Sequence, residues 1–358
     1  MKGFICIFLV VIIFSFGFAQ VSVDKTRISI LCYHHLDLNP KYKTPYTVDS
    51  GKFIEQIEAL QAEGFTFISL KDVEDFYYKH KVIPEKSAVI TFDDGNHNTY
   101  TIAYPLLKKR HIPFAVFVYP SAIGVGHDRG FANWADVKEM ADNGVIIGCH
   151  AFDHPFLTRP GKSVATKEQY DKWLKNELAN SKAIIESKIS KNVDYFAVPF
   201  GAFDAYVDKA LKIYGYKLAL NVDGGNNGIY SEPLNLNRSF VMKDDSVKAV
   251  VSKTNSSPIY FDSTFPNNLE RINNQEFTIS FRIKNLDELK LASITLLFAG
   301  NRKENLVFDK NANTFSAKVK VFKESYYGVS VAAEGNNGKP YRGNWIFQYN
   351  CVVPSFLK

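Results

Sequence analysis

Cysteine, methionine and tryptophan are scarce: 4, 3 and 3 of 358 residues. Cys6 falls in an N-terminal apolar segment, which leaves Cys32, Cys149 and Cys351, an odd number that implies no disulfide framework. With 21 glycines and 14 prolines the chain is neither collagen-like nor of low complexity. Long runs of one charge are missing as well; a net charge of +6, from 43 basic and 37 acidic residues, is spread along the chain and gives nucleic acid no footprint. Beyond Ala19 no apolar run is long enough to span a membrane. Before it, Lys2 precedes the apolar stretch from Phe4 to Phe18, and Gly17 and Ala19 are small residues at the positions a signal peptidase reads. This pattern predicts cleavage after Ala19 and export to the periplasm, the cell envelope or the medium. A last absence bears on chemistry: no histidine follows His154.

What is present is a β-α alternation. Short β-branched and aromatic runs (Ile28 to Tyr33, Thr66 to Leu70, Ala88 to Phe92, Phe114 to Tyr119, Val145 to Cys149, Tyr195 to Val198, Lys217 to Val222, Leu234 to Val241) are separated by amphipathic stretches. These stretches are Gly51 to Glu63, Thr99 to Arg110, Trp134 to Asn143 and Lys167 to Ser187. The alternation implies an α/β fold, either a doubly wound parallel sheet or a (β/α) barrel. From about Ser256 only strand patterns and Asn/Gly-rich turns follow, the signature of a β-sandwich in which Tyr326, Tyr327, Tyr341 and Trp345 read as core, with a sugar platform as the alternative. The expected division is a signal peptide over 1–19, a catalytic barrel over 20–255 and an all-β domain over 256–358. The polar Lys253 to Pro258 junction predicts a short tether that keeps the two domains close.

Two constellations carry chemistry. In Thr91-Phe92-Asp93-Asp94-Gly95 a buried strand ends in adjacent carboxylates and a turn glycine, so the two acids can divide the labour of base and metal ligand. In His150-Ala151-Phe152-Asp153-His154 two imidazoles four apart follow another strand and converge if a helical turn begins there. Strand C-terminal ends of a barrel open on one face, and an Asp with two His is a facial ligand set for a divalent ion. Asp223 and Arg238 occupy further strand ends, where each fits sugar contact, support of a catalytic residue or a structural ion pair. His80, His97, His111 and His127 lack a partner at ligand spacing and read as surface residues. Cys149 reads as core.

The two motifs resemble the first and second motifs of the polysaccharide deacetylases of carbohydrate esterase family 4, the NodB-homology family. The resemblance implies a distorted, seven-stranded TIM-like barrel and metal-dependent removal of N-acetyl groups. Asp93 would be the base, and Asp94, His150 and His154 would hold the ion, zinc first with cobalt or nickel as alternatives. The backbone N–H of Phe200, after Pro199, would bind the oxyanion. The family's third motif appears as Phe196-Ala197-Val198-Pro199-Phe200-Gly201, with Ala197 where an Arg is usual, and the family's late histidine is absent. However, Cys32-Tyr33-His34-His35 resembles the Tyr-His opening of the poly-β-1,6-N-acetylglucosamine deacetylase branch, whose motif order is permuted and whose third motif also lacks the Arg. That resemblance implies His34 as general acid, with His35 the competitor, because alternation along a strand sends only one of two neighbours toward the site. Trp134 resembles the aromatic before the second motif in that branch. The implied partner is an N-acetylated polysaccharide, most closely the β-1,6-linked polymer, with peptidoglycan or chitin oligomers as alternatives. A silent glycan-binding protein is the reading that the missing Arg and late His favour. The β-domain fits glycan or envelope contact, or simple packing, and nothing in the sequence sets an oligomeric state.

Overall fold

The computed structural model describes residues 25–349 apart from 39–43, 126, 128–129, 162–163, 203, 300–301 and 324. The expected signal segment and Cys351 therefore lie outside the described residues. Seven parallel strands lie in the order Ser239–Phe240, Arg27–Tyr33, Lys86–Phe92, Phe114–Val118, Ile146–Cys149, Tyr195–Ala197 and Leu218–Leu220, with Thr66–Phe67 paired to Lys86–Phe92 off this path. Leu236 bridges back to Leu220 in parallel, so the path curls into a barrel instead of the open doubly wound sheet that the alternation also allowed. The central strands are apolar on both faces, as expected of parallel strands covered by helices. All seven residues of Arg27–Tyr33 are buried, as are Ser87 to Phe92. Around them the helices bury the stripes that their spacing implies: Ser50–Ala62, capped by Asp49, buries Phe53, Ile57 and Leu60.

The stretch after the last barrel helix, Val247–Asn255, enters a second architecture of antiparallel sheets. One sheet runs through Pro340–Tyr349, Ser325–Glu334 and Thr295–Phe298; the other contains Phe261–Phe265, Glu276–Ile283, Thr314–Lys320 and Val307–Asp309. Phe281, Phe298, Phe315, Phe347 and Trp345 form a core of their own between them. Tyr341 joins this core, whereas Tyr326 and Tyr327 stay half-buried. The two parts are pinned together: Asn226 Nδ2 donates to Ser256 O at 2.6 Å, Asn344 Nδ2 to Gly224 O at 2.8 Å, and Arg271 pairs with Asp204.

Candidate active site

Strand register gathers the site. Arg27–Tyr33 and Lys86–Phe92 pair residue by residue to Tyr33 opposite Phe92, so His34 and Asp93 leave adjacent strand ends together. Val118 opposite Cys149 likewise sets Tyr119 and His150 side by side. Gly95 makes the turn possible: at φ +69° a Cβ would meet Ile123 Cδ1 at 2.7 Å, so only glycine fits. Four residues with side chains also hold positive φ here: Asp94 (72°), Ala151 (66°), His154 (52°) and Phe200 (59°). Each such conformation costs roughly 1–3 kcal/mol and persists where surrounding structure enforces it, which is typical of functional sites.

Asp93 is buried and clamped by Arg238, whose Nη1 donates to Oδ1 at 2.6 Å and Nη2 to Oδ2 at 2.7 Å. Arg238 Nε donates to Asn221 O at 3.0 Å, and Nη1 also reaches Thr91 Oγ1 at 3.2 Å. Burial by itself would raise the Asp93 pKa, but the Arg238 charge, then His150, hold it well below the carboxylate range. Arg238 is completely buried, which excludes the sugar contact that its strand-end position left open. It supplies the guanidinium that Ala197 lacks. Cys32 Sγ stands 3.5 Å from Asp93 Oδ2.

Asp94, His150 and His154 present ligand atoms within 4.8 Å of one another. Asp94 Oδ1 lies 3.8 Å from His150 Nε2 and 3.7 Å from His154 Nε2. These gaps are too long for hydrogen bonds and near the separation of two ligands bound at about 2.0–2.2 Å to one tetrahedral ion. His150 Nδ1 lies 2.7 Å from Ala197 O, which fixes the ring with Nε2 turned to the cluster. One carboxylate and two imidazoles suit zinc, cobalt or nickel, so the residues fit the ion that the resemblance implies. Burial, then the Asp93 charge, lift the Asp94 carboxyl to about 7, whereas burial lowers His150 to about 3. The two imidazoles do not converge through a helical turn. A tight turn with positive φ at Ala151 and His154 brings them together.

His34 lies between the rings of Tyr46 and Phe240, at 5.1 and 5.3 Å, and its buried Nδ1 has no hydrogen-bond partner. Its ligand nitrogen is within 4.8 Å of the Asp93 carboxylate. His35 is not sent away as alternation implied: the strand breaks at His34, and His35 joins the wall of a 730 Å³ cleft with Asp94, Tyr119, Phe131 and His154. Phe200 is the second residue of the 3₁₀ turn Pro199–Gly201, whose first internal bond runs from Gly201 N to Val198 O; the Phe200 N–H therefore has no acceptor inside the turn. Trp134 does not enter the cleft wall; it opens the Trp134–Asp142 helix and packs half-buried on the barrel core. Phe131 and Tyr119 are the cleft aromatics. Asp223 lies apart from them, half-buried in a 780 Å³ cavity between barrel and β-domain, and burial lifts its pKa to about 7. His127 is exposed as expected, but it and His97 are not isolated: their ring centres lie 3.9 Å apart, and His127 Nε2 is 2.6 Å from Asp136, tying its loop to the Trp134–Asp142 helix. Cys149 is core, its thiol pushed up to about 11 by burial.

The family model for polysaccharide deacetylases matches residues 80–219. The chain carries a polysaccharide deacetylase domain. It is 27% identical over 216 residues to the poly-β-1,6-N-acetyl-D-glucosamine N-deacetylase of Staphylococcus aureus, covering 58% of this chain and 72% of that one. The solved structure of IcaB from Ammonifex degensii superposes with a TM-score of 0.56 at 25% identity, over 64% of this chain and 97% of that one. The Streptococcus pyogenes deacetylase PplD shares the fold, with a TM-score of 0.56 at 22% identity over 64% and 98%.

Within this deacetylase domain one supporting residue had no signal in the sequence. Glu177 is buried on a π-helical turn, Asn176–Asn180, and its Oε2 accepts from the N–H groups of Phe152 at 2.9 Å and Asp153 at 3.2 Å. It anchors the turn between His150 and His154. Glu177→Ala is expected to lower acetate release and metal affinity about 10–100-fold, the usual cost of losing a ligand's support. Glu177→Gln, which keeps an acceptor oxygen, is expected to recover much of both. Equal metal affinity in Glu177→Ala and wild type, by competition with a chromogenic chelator, would contradict the assignment.

Proposed function

We propose that this protein is an exported, divalent-metal-dependent hydrolase that removes N-acetyl groups from the N-acetylglucosamine units of a polysaccharide, poly-β-1,6-N-acetylglucosamine first. The observation that carries the reading is a carboxylate clamped by a buried Arg, Asp93, one residue before Asp94 and beside His150 and His154. The name of the Staphylococcus relative supports the β-1,6 polymer, and the apolar segment before Ala19 supports export. The two reasons for a silent glycan binder lose their force: Arg238 takes the place of the missing Arg, and His34 that of the late histidine.

An ion held by Asp94, His150 and His154 would polarise the acetyl carbonyl and acidify water beside it. Asp93, aimed by two Arg238 bonds, takes the proton of the attacking water. As the carbonyl carbon becomes tetrahedral, the unspent N–H of Phe200 donates to the oxyanion. The C–N bond then breaks, and the nitrogen must leave as a neutral amine, so it needs a proton. Burial lowers His34 to about 4, so its ring is neutral at rest; the proton collected at Asp93 passes to it and on to the amine. Amide and water thus become amine and acetic acid, which loses its proton to solvent as acetate, and both catalytic groups return to their starting charge.

The test is acetate release by the metal-loaded full chain from β-1,6-linked N-acetylglucosamine oligomers, chitin oligomers and peptidoglycan. Release that is fastest from the β-1,6-linked series is expected. Faster release from chitin or peptidoglycan would move the substrate, and none from any of them would contradict the reading.

A further inference from the structure

Beside the metal-ligand cluster, two phenylalanines stand in solvent: Phe156 is 38% exposed and Phe200 51%. Their rings stack at 4.0 Å and 9°, and the edge of Phe200 meets the His154 ring at 4.5 Å and 66°. Leaving such faces in water forgoes about 25 cal/mol per Å² of burial, and contiguous exposed apolar surface next to a cleft marks a binding site. Neither ring is free to fold away. Phe200 is fixed by its positive φ and by Gly201, where a Cβ would strike Val222 Cγ2 at 2.5 Å. Phe156 rides on a loop anchored by fully buried Leu157 and Thr158, with Tyr170 Oη donating to Leu157 O at 2.8 Å. The stripe continues beyond them. The Arg159 guanidinium sits 5.9 Å from the Phe156 ring centre and 5.2 Å from the ring of Tyr326, which belongs to the β-domain. A line of flat faces thus runs from the candidate metal ligands to the second domain.

We propose that Phe156, Phe200, Arg159 and Tyr326 form a polymer-binding track that seats the pyranose rings next to the sugar being deacetylated, and that the β-domain extends the catalytic cleft through Tyr326. The inference rests on the polysaccharide deacetylase reading and adds a subsite to it. A pyranose presents a face of C–H bonds that packs on an aromatic ring, and the flat Arg159 guanidinium continues that surface toward Tyr326. The occupant is a glycan because the surface next to the cleft is made of exposed, stacked aromatic rings. Its location, continuous with the cleft, sets the polymer's path.

The experiment follows chain length. Acetate release from β-1,6-linked N-acetylglucosamine dimers to hexamers is measured with the cobalt-loaded full chain for wild type, Phe156→Ala, Phe156→Trp and Tyr326→Ala, with thermal unfolding as the check on folding. In wild type kcat/KM rises with length; in Phe156→Ala and Tyr326→Ala the rise is lost, about tenfold at the hexamer, or ~1.4 kcal/mol. Phe156→Trp, which keeps a face, retains it. Variants that follow the wild-type dependence overturn the track. Hexamer affinity, measured by calorimetry in an Asp93→Asn background, decides the matter without turnover: about tenfold weaker binding in Phe156→Ala supports the track and equal binding overturns it. Failure of the wild type to release acetate counts instead against the proposed reaction.

Discussion

Replacing Arg238 by methionine is expected to lower kcat for deacetylation by at least about 100-fold, with KM little changed, and to destabilise the protein by about 3–5 kcal/mol. The stability loss follows from burial: with Arg238 gone, Asp93 is an uncompensated carboxylate in a dry site, left with the Cys32 thiol at 3.5 Å and the His150 imidazole at 3.8 Å from Oδ2. The kinetic loss follows from geometry, since the two parallel bonds at 2.6 and 2.7 Å aim the base. Substrate does not touch Arg238, so KM is spared. Arg238→Lys keeps the charge without the planar fork, so it restores most of the stability and only part of kcat. The double variant Asp93→Leu/Arg238→Met, in which neither charge remains, is expected to unfold at a higher temperature than Arg238→Met alone. A double variant no more stable than the single one would show that the pair is not the source of the loss.

The second large effect concerns His34. Deacetylation by His34→Ala is expected to fall about 10²–10⁴-fold, the range for losing a positioned acid. On an aryl acetate the same variant should lose far less, because a phenolate leaves without a proton and an amine does not. Asp93→Asn should fail on both substrates, since both need the water activated. The contrast separates an acid from a residue that merely packs: a structural role for His34 between Tyr46 and Phe240 would depress both activities alike. His35→Ala tests the competitor in the cleft wall. A larger amide-specific loss in His35→Ala than in His34→Ala would exchange their roles.

Much of this site was legible because barrel topology sends strand ends to one mouth. Asp93, Asp94 and His150 each follow an apolar run, whereas His34 was singled out by the Tyr-His resemblance, and the register of the first two central strands is what places it beside Asp93. The partner of Asp93 was a different matter. Arg238 is 145 residues away, and only closure of the barrel brings its strand to that of Cys32. An Arg just before a short strand looks the same in sequence whether it meets a sugar or a carboxylate. Glu177 was silent for another reason: its partners are backbone N–H groups, which every residue but proline carries. The turn between His150 and His154 was misread because helical spacing is the simplest way to align i and i+4, and positive φ at alanine and histidine leaves no mark in the sequence. His97, His127 and Asp136 come from three separate segments, so no spacing announces their meeting. The Phe156–Phe200 stack was hidden likewise, since its rings come from loops after different strands.

Metal dependence of acetate release tests the central claim most directly. The purified full chain is stripped with a chelator, assayed on β-1,6-linked N-acetylglucosamine hexamer, and titrated with Zn²⁺, Co²⁺ or Ni²⁺, in parallel with Asp94→Ala and His154→Ala. Activity should vanish on stripping, return with one equivalent of ion per wild-type chain, and stay absent in both variants at that concentration. Full activity in the stripped protein, or restoration in Asp94→Ala and His154→Ala by the same single equivalent, would contradict a catalytic centre built on Asp94, His150 and His154.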